Sequence, residues 1–196
     1  IEKYKVNILP ASPTFLNLML IGECPAHYDL TSLRMITYGT EPMPESLLVK
    51  LKDAFPRVKF LQTFGTSETG ISATSSYSST STFLKIDDPN TEYKIINGEL
   101  WLRSKTQIMG YLNSSMERFT DDGWFKTGDM VEEKDGYIKI IGRNSDIINV
   151  GGEKVLPSEV ESVLFQMPHV NDCIVYGENN PITGQMVVAK VLYDED

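Results

Sequence analysis

Strand-like and helix-like segments alternate through the first third of the chain, and this alternation constrains the fold more than any other feature. The apolar strand patterns "KVNIL", "LRMITYG" and "VKFLQ" are separated by the helix patterns "SPTFLNLMLIG" and "PESLLVKLKDAF". Ser12 and Gly22 are suited to cap the first helix, and Pro13 suits its first position. Strands that alternate with amphipathic helices indicate an α/β fold, in which helices pack against a parallel sheet.

The middle and the end of the chain follow other patterns. The Ser/Thr-rich stretch "SATSSYSSTST" is expected to be a flexible surface loop, and the segments after it read as short strands. Asn-Gly at 97–98 and Asp-Gly at 135–136 are hairpin signals. In the last part, Ser158 and Glu161 have the spacing of a capping box at the start of a helix.

Charge and composition exclude several classes of protein. The chain has 27 acidic and 18 basic residues, a net charge of −9, which argues against a nucleic-acid partner. No apolar run approaches the roughly 20 residues of a transmembrane helix, and no signal segment opens the chain. Cys24 and Cys173 are too far apart in sequence to suggest a disulfide framework, so a cytoplasmic setting fits best. Since the chain begins at Ile1 in a strand-like pattern, we expect a piece of a longer protein.

Two segments after the predicted strands have residues suited to a phosphate ligand. "YGTEPMP" follows the second strand and "TFGTSETG" follows the third, where parallel sheets bind their ligands. Glycines let the backbone approach a ligand, hydroxyls donate to anionic oxygens, and a carboxylate suits magnesium. These residues predict a nucleotide-phosphate site. The alternative is a helix start that Ser67 and Glu68 cap.

Four motifs in order resemble one superfamily. "TFGTSE", "GELWLRS" with "GYLN", "DGWFKTGD" and "GRNSDIINVGGEKVLPSEVE" are similar to those of adenylate-forming enzymes, which include acyl- and aryl-CoA synthetases, peptide-synthetase adenylation domains and luciferases. The resemblance implies that ATP activates a small carboxylic acid as an acyl-adenylate, with release of pyrophosphate. The acyl group then passes to a thiol. It also implies ATP or AMP, Mg²⁺ and CoA as ligands.

The resemblance assigns roles to particular residues. It implies these nucleotide-binding residues: Gly39, Thr40, Glu41, Gln62, Phe64, Gly65, Thr66, Asp129 and Arg143. Phe64 is expected to stack on adenine, with the backbone of 39–41 on the other face, and Asp129 to accept hydrogen bonds from the ribose. The catalytic residues implied are Ser67, for a phosphate oxygen, and Glu68, for Mg²⁺. The alternative for Phe64 is a core position.

The last part of the chain suggests the thiol acceptor. "GGEKVLPSEVE" is more similar to acyl-CoA synthetases than to peptide synthetases, and it implies a CoA site at Gly151 and Gly152. Ser145 is the expected hinge residue, and Tyr38, Gly70 and Ile71 are the expected acyl-pocket residues. The resemblance divides the chain into the end of an α/β subdomain (1–78), a β-rich, barrel-like subdomain (79–142), a hinge (143–146) and a truncated α+β C-terminal domain (147–196).

Two other functions stay open at this point. One is an adenylation domain that loads a carrier protein. The other is a nucleotide-binding module without catalytic activity, because the lysine-containing phosphate loop and the late lysine of the superfamily do not occur within the 196 residues.

Overall fold

The first layer of the protein is a parallel sheet, as the strand and helix pattern predicts. The computed structural model describes residues 1–194, and its first sheet has the order β1-β2-β3 with both strand pairs parallel. Its elements are β1 (Ile8–Pro10), α1 (Pro13–Ile21), α2 (Cys24–His27), β2 (Met35–Tyr38), α3 (Glu45–Ala54) and β3 (Lys59–Gln62). The predicted α/β fold class is confirmed.

Local caps define the ends of α1. The Ser12 hydroxyl oxygen accepts a hydrogen bond of 3.1 Å from the Phe15 N–H, and Pro13 is the first helical residue. At the other end, the Gly22 N–H donates to the Leu18 carbonyl over 2.9 Å. All three predicted positions are confirmed. Residues three or four apart in sequence satisfy the backbone N–H and C=O groups at the two ends of the helix.

Aliphatic side chains form the core beneath the first sheet. Leu16 of α1, Ile36 of β2 and Leu48 of α3 are fully buried together. Burial of each such side chain contributes about 1.5–3 kcal/mol. This core holds β2 and β3 side by side, so the segments after both strands leave the sheet at the same edge.

A hairpin and a second sheet follow. The hairpin pairs β4 (Phe64–Thr66) with β5 (Gly70–Ser72). The second sheet is antiparallel, has the order β6-β7-β11-β10-β9-β8, and curls into a half-barrel as predicted. Its strands are β6 (Thr74–Ser76), β7 (Leu84–Ile86), β8 (Thr91–Ile96), β9 (Glu99–Ser104), β10 (Phe125–Lys134) and β11 (Tyr137–Arg143).

Two tight turns build this sheet. Asn97 and Gly98 join β8 to β9 with φ of 51° and 80°, and Asp135 and Gly136 join β10 to β11 with φ of 53° and 76°. Positive φ at both central residues is the reason Asn-Gly and Asp-Gly predict hairpins, and both predictions are confirmed.

The prediction of a loop for the whole Ser/Thr-rich stretch is wrong. Its first part contains the end of β5 and all of β6, and only residues 77–82 form an irregular connection before β7. The Thr74 hydroxyl donates to the Gln62 carbonyl over 2.6 Å, which ties β6 to the end of β3. Threonine is β-branched and suits a half-buried strand better than a loop composition suggests.

The last unit is a four-stranded antiparallel sheet packed against a helix. Its order is β13-β12-β15-β14, and a 3₁₀ turn at Asn144–Asp146 connects it to β11. The elements are β12 (Ile148–Val150), β13 (Glu153–Val155), α4 (Pro157–Leu164), β14 (Val170–Asn180) and β15 (Gly184–Tyr193). The residue bounds of the domains stay a prediction.

The predicted capping box is wrong, because α4 begins at Pro157 and Ser158 lies inside its first turn, not at the N-cap position. Leu156 is the residue before the helix, and no side chain caps it. The Ser158 hydroxyl instead donates to the Ile141 carbonyl of β11. Glu161 Oε1 accepts a 2.8 Å hydrogen bond from the Val175 N–H of β14. These side chains therefore connect α4 to two strands instead of closing its first turn.

Two further properties concern the helices and the cysteines. None of the helices within residues 1–194 is long and apolar enough to cross a membrane. Cys24 and Cys173 are both free thiols. Burial raises the pKa of Cys173 to about 11, and the carboxylates of Glu161 and Asp172 add to this effect.

Candidate functional site

A cleft of about 630 Å³ opens where β2 and β3 end. Its walls come from the loop after β2, the β4–β5 hairpin, and strands β10 and β11 of the second sheet. Eleven residues predicted for the nucleotide site line it: Gly39, Thr40, Glu41, Gln62, Phe64, Gly65, Thr66, Ser67, Glu68, Asp129 and Arg143. Segments far apart in the sequence therefore meet in one cavity.

Gly39 allows the ends of β2 and β3 to touch. A Cβ atom at Gly39 would lie 2.0 Å from the Thr63 carbonyl oxygen, and the Thr63 N–H donates to the Tyr38 carbonyl over 2.7 Å. Any side chain at this position would push the two segments apart. Glu41 Oε2 accepts a hydrogen bond of 2.6 Å from the Thr14 hydroxyl, which leaves the Glu41 backbone for contact with a ligand.

Phe64 and Gln62 form the most buried part of the cleft. Phe64 is 4% exposed and belongs to the core of the second sheet, so it is a core residue as well as a cleft residue. Gln62 is 5% exposed, and its Oε1 has no hydrogen-bond partner among the described residues. A buried unpaired acceptor costs about 1–3 kcal/mol. A ligand that donates a hydrogen bond to Gln62 would remove this cost.

The turn between β4 and β5 carries the hydroxyl and carboxylate cluster. The Thr69 N–H donates to Thr66 Oγ1 over 3.0 Å. Ser67 is exposed, and Glu68 Oε1 accepts a 2.7 Å hydrogen bond from the Tyr111 hydroxyl. The alternative of a helix start capped by Ser67 and Glu68 is wrong, because the segment is a hairpin turn closed by a threonine pair.

Asp129 is the buried carboxylate of the cleft. It is 7% exposed, its N–H donates to Thr127 Oγ1 over 3.0 Å, and its Oδ1 lies 3.3 Å from Arg143 Nε. Burial raises the pKa of Asp129, and the positive charges of Arg143 and Arg118 oppose this shift. The Arg143 side chain is 66% exposed, so the ion pair is partly hydrated and weak. Asp129 can therefore accept hydrogen bonds from a ligand.

Seven residues that line the cleft were not predicted from the sequence: Pro42, Arg118, Phe125, Thr127, Ile140, Gly142 and Asp146. Two of these and the nearby Tyr111 contact the predicted site. Arg118 and Thr127 line the cleft, and Thr127 Oγ1 donates to the Leu100 carbonyl over 2.6 Å. Thr127 begins the "TGD" motif that contains Asp129, and this position was a usable signal. Tyr111 is 43 residues from Glu68, and nothing in the sequence links the two.

Six predicted residues do not line the cleft: Tyr38, Gly70, Ile71, Ser145, Gly151 and Gly152. Tyr38 is 3% exposed in the first core, where burial raises its pKa to about 12, whereas Ile71 is 83% exposed. Ser145 lies in the 3₁₀ turn, and the two glycines form the turn between β12 and β13. The roles of these residues stay predictions.

The Glu68 carboxylate is suited to a metal ion that binds together with the phosphates of a ligand. Within residues 1–194, no group of three His, Cys, Asp or Glu residues could hold a metal ion. Glu68 lines the cleft, and the hydrogen bond from Tyr111 occupies only one of its two carboxylate oxygens. Magnesium usually binds one or two protein carboxylates together with substrate phosphates. The donor set fits a magnesium ion of that kind.

The whole chain is similar to known enzymes. A family model described as AMP-binding enzyme matches residues 1–112, and one described as AMP-binding enzyme C-terminal domain matches residues 159–196. A probable CoA ligase, CCL5, of Humulus lupulus is 32% identical, and acyl-CoA synthetase 7 of Caenorhabditis elegans is 31% identical. Both matches cover 98% of this chain and 39% or 38% of the relative. The chain thus spans about two fifths of the length of these relatives.

Two solved structures share the fold. The anthranilate CoA ligase AuaEII in complex with anthranoyl-AMP is 26% identical with a TM-score of 0.81, over 97% of this chain and 40% of that one. The amide bond synthetase McbA from Marinactinospora thermotolerans is 25% identical with a TM-score of 0.79, over 100% of this chain and 44% of that one.

Proposed function

Because this chain belongs to the AMP-binding enzyme family, we propose that the protein carrying it is an ATP-dependent ligase that joins a carboxylic acid to CoA. The convergence of eleven predicted residues on one cleft is the observation that supports this proposal best. Two relatives are named as a CoA ligase and an acyl-CoA synthetase, which supports CoA over a carrier protein as the acceptor.

The buried end of the cleft is proposed to bind the nucleoside. Adenine would lie between the Phe64 ring and the backbone of 39–41, and its amino group would donate to the unpaired Oε1 of Gln62. The ribose hydroxyls would donate to Asp129, which is held by its backbone hydrogen bond to Thr127. An ionised carboxylate only accepts hydrogen bonds, so it is suited to two neighbouring hydroxyls.

The exposed end of the cleft is proposed to bind the phosphates. The hydroxyls of Thr66 and Ser67 would donate to phosphate oxygens, with the backbone of Gly65 close by and Arg143 contacting the ribose or phosphate. Glu68 would hold Mg²⁺ through the carboxylate oxygen that does not bond to Tyr111. The metal, when bound, supplies charge neutralisation on the phosphates.

The proposed reaction has two steps. In the first, a carboxylate oxygen of the substrate attacks the α-phosphorus, the new P–O bond forms, and the bond to pyrophosphate breaks. In the second, the CoA sulfur attacks the acyl carbon, AMP leaves, and the thiol proton passes to solvent. The first step needs no protein base, because the attacking carboxylate is already ionised. The residues of the cleft would therefore act through position and charge.

The last unit is proposed to serve the second step. Rotation about Ser145 in the 3₁₀ turn would bring the turn at Gly151 and Gly152 toward the cleft, where the glycines leave room for the pantetheine arm. We propose an acyl site beside the β4–β5 hairpin, near Tyr38, Gly70 and Ile71. Such a hinge needs only a few residues at the end of an element to change φ and ψ.

We propose the cytoplasm as the cellular setting. The two free thiols, Cys24 and Cys173, support a reducing compartment. Cell fractionation with an antibody to the protein should recover it with cytosolic markers. Recovery with secreted proteins would contradict this proposal.

The proposed function is tested by ATP–pyrophosphate exchange with the complete protein and a set of carboxylic acids. Exchange should depend on the acid, and mass spectrometry should detect a CoA thioester. Glu68→Gln should reduce the exchange rate strongly. The matched control is Glu133→Gln, an exposed carboxylate on β10 outside the cleft.

Two results would contradict the proposal. Nucleotide binding without exchange for any acid would favour a non-catalytic module. Acyl transfer to a phosphopantetheinylated carrier protein but not to CoA would favour the carrier-loading alternative.

A further inference from the structure

Arg118 is a cation of the cleft that the proposed function does not use. Its guanidinium carbon lies 4.8 Å from the centre of the Phe125 ring. Its Nε donates to the Lys126 carbonyl over 3.1 Å, and its Nη2 donates to the Thr127 carbonyl. These contacts hold the head group at the wall of the cleft, so little conformational entropy remains to be lost on binding.

On one side, Arg118 adjoins the residue proposed for the ribose. A Cβ atom at Gly128 would lie 3.3 Å from Arg118 Nη2, and Asp129 follows directly in β10. The positive charge of Arg118 also opposes the rise in the pKa of Asp129 that burial causes.

On the other side, Arg118 adjoins the residue proposed for magnesium. Phe119, the next residue, has its ring centre 6.3 Å from that of Tyr111. The Tyr111 hydroxyl in turn donates to Glu68 over 2.7 Å. The nucleotide phosphates would have to pass between the ribose acceptor and the metal carboxylate, and Arg118 lines the same cleft as both.

The cleft has more carboxylates than cations, so an anionic ligand needs an unpaired cation on the cleft wall. Four carboxylates line it, those of Glu41, Glu68, Asp129 and Asp146, against two arginines. Arg143 is paired with Asp129, whereas no described carboxylate forms an ion pair with Arg118. An anionic ligand would meet repulsion here unless an unpaired cation faces it.

We propose that Arg118 is a phosphate-binding residue whose guanidinium donates hydrogen bonds to the phosphoryl group next to the ribose. The inference rests on the proposed function, since it assumes a nucleotide in the cleft. Arginine has five donors, and the two carbonyl contacts leave others for phosphate oxygens. The same chemistry would also bind free pyrophosphate.

The test compares ligands with and without a phosphate on the complete protein. Binding of adenosine, AMP and pyrophosphate is measured by NMR titration for the wild type, Arg118→Gln and Arg118→Lys. Arg118→Gln should weaken AMP binding about tenfold or more, the effect of a lost charged hydrogen bond, and leave adenosine binding unchanged. Arg118→Lys should have an intermediate effect, because lysine keeps the charge but not the planar fork.

The matched control is Arg103→Gln. Arg103 also lies over an aromatic ring, that of Trp124, but pairs with Glu92 outside the cleft. Arg103→Gln should leave the affinity for all three ligands unchanged. An equal loss of AMP and adenosine affinity in Arg118→Gln, or no loss, would overturn the role of Arg118.

A measurement on the wild type covers the case in which Arg118→Gln does not fold. The side-chain Nε–H resonance of Arg118 should shift on addition of AMP and pyrophosphate but not adenosine. A shift with pyrophosphate while adenosine and AMP do not bind would support the phosphate site and refute the proposed nucleoside site. Adenosine binding with no shift for either phosphate ligand would overturn only the inference. No response to any of the three ligands would overturn both.

Discussion

Replacement of Asp129 by alanine tests the centre of the proposed nucleotide site. Asp129 is 7% exposed, and its Oδ1 lies 3.3 Å from Arg143 Nε. The variant leaves Arg143 without this partner, but the Arg143 side chain is 66% exposed and can be hydrated. The variant also removes a carboxylate whose burial raises its pKa. The free energy of unfolding should therefore change by no more than about 1 kcal/mol.

Nucleotide affinity should respond much more strongly than stability. Two ribose hydroxyls would donate to the ionised carboxylate, and hydrogen bonds to charged groups contribute about 1.5–3 kcal/mol. Since 1.4 kcal/mol corresponds to a factor of about 10, the loss is roughly 10- to 150-fold. ATP and AMP should lose affinity equally, because they have the same ribose.

Calorimetric titration of the complete protein with ATP and AMP measures this loss. The matched control is Glu133→Ala, which removes an exposed carboxylate from the same strand. Unchanged affinity of Asp129→Ala for both nucleotides would refute the ribose role. If urea unfolding showed a stability loss of several kcal/mol, the lost affinity would reflect damage to β10 instead.

Three other predictions follow from the same geometry. Since burial raises the pKa of Asp129, adenosine affinity should fall as the pH is lowered toward that pKa, in titrations of the wild type but not of Asp129→Asn. A Cβ at Gly39 would lie 2.0 Å from the Thr63 carbonyl, so Gly39→Ala should lower the urea-unfolding free energy by about 1–3 kcal/mol, while Gly110→Ala, with no atom closer than 4.0 Å, should not. Ser145→Pro should keep pyrophosphate exchange within a few-fold of the wild type while CoA thioester formation collapses, because proline fixes φ near −65°. Survival of both half-reactions would refute the hinge, and equal loss of both would indicate a folding defect.

Local interactions explain which elements could be predicted from the sequence. The cap of α1 joins Ser12 to Phe15, and each hairpin turn of the second sheet depends on two adjacent residues. In both cases the determining atoms are within a few residues of each other. The sequence pattern therefore contains the whole cause of the structure.

Long-range interactions explain the failures. Ser158 and Glu161 have capping-box spacing, but Ile141 and Val175 provide partners from other strands. Because α4 already begins at Pro157, Ser158 lies inside the first turn and not at the N-cap position, and spacing alone does not reveal where the helix starts. The place of Arg118 in the cleft could not be predicted either, because the carbonyls that orient its side chain belong to the start of β10.

The two ends of the cleft differ in burial, and this difference predicts which ligand affinities a variant at each end will change. Phe64 and Gln62 are at most 5% exposed, whereas Ser67 is exposed at the tip of its turn. Contacts at the buried end would be made equally by adenosine, AMP and ATP, so variants there should weaken all three by the same factor. Contacts at the exposed end involve only the phosphates, so variants of Glu68 or Arg118 should change the ratio of the ATP and adenosine affinities. The same ratio therefore separates contacts to the phosphates from contacts to the nucleoside, and urea unfolding then separates a lost nucleoside contact from damage to the fold.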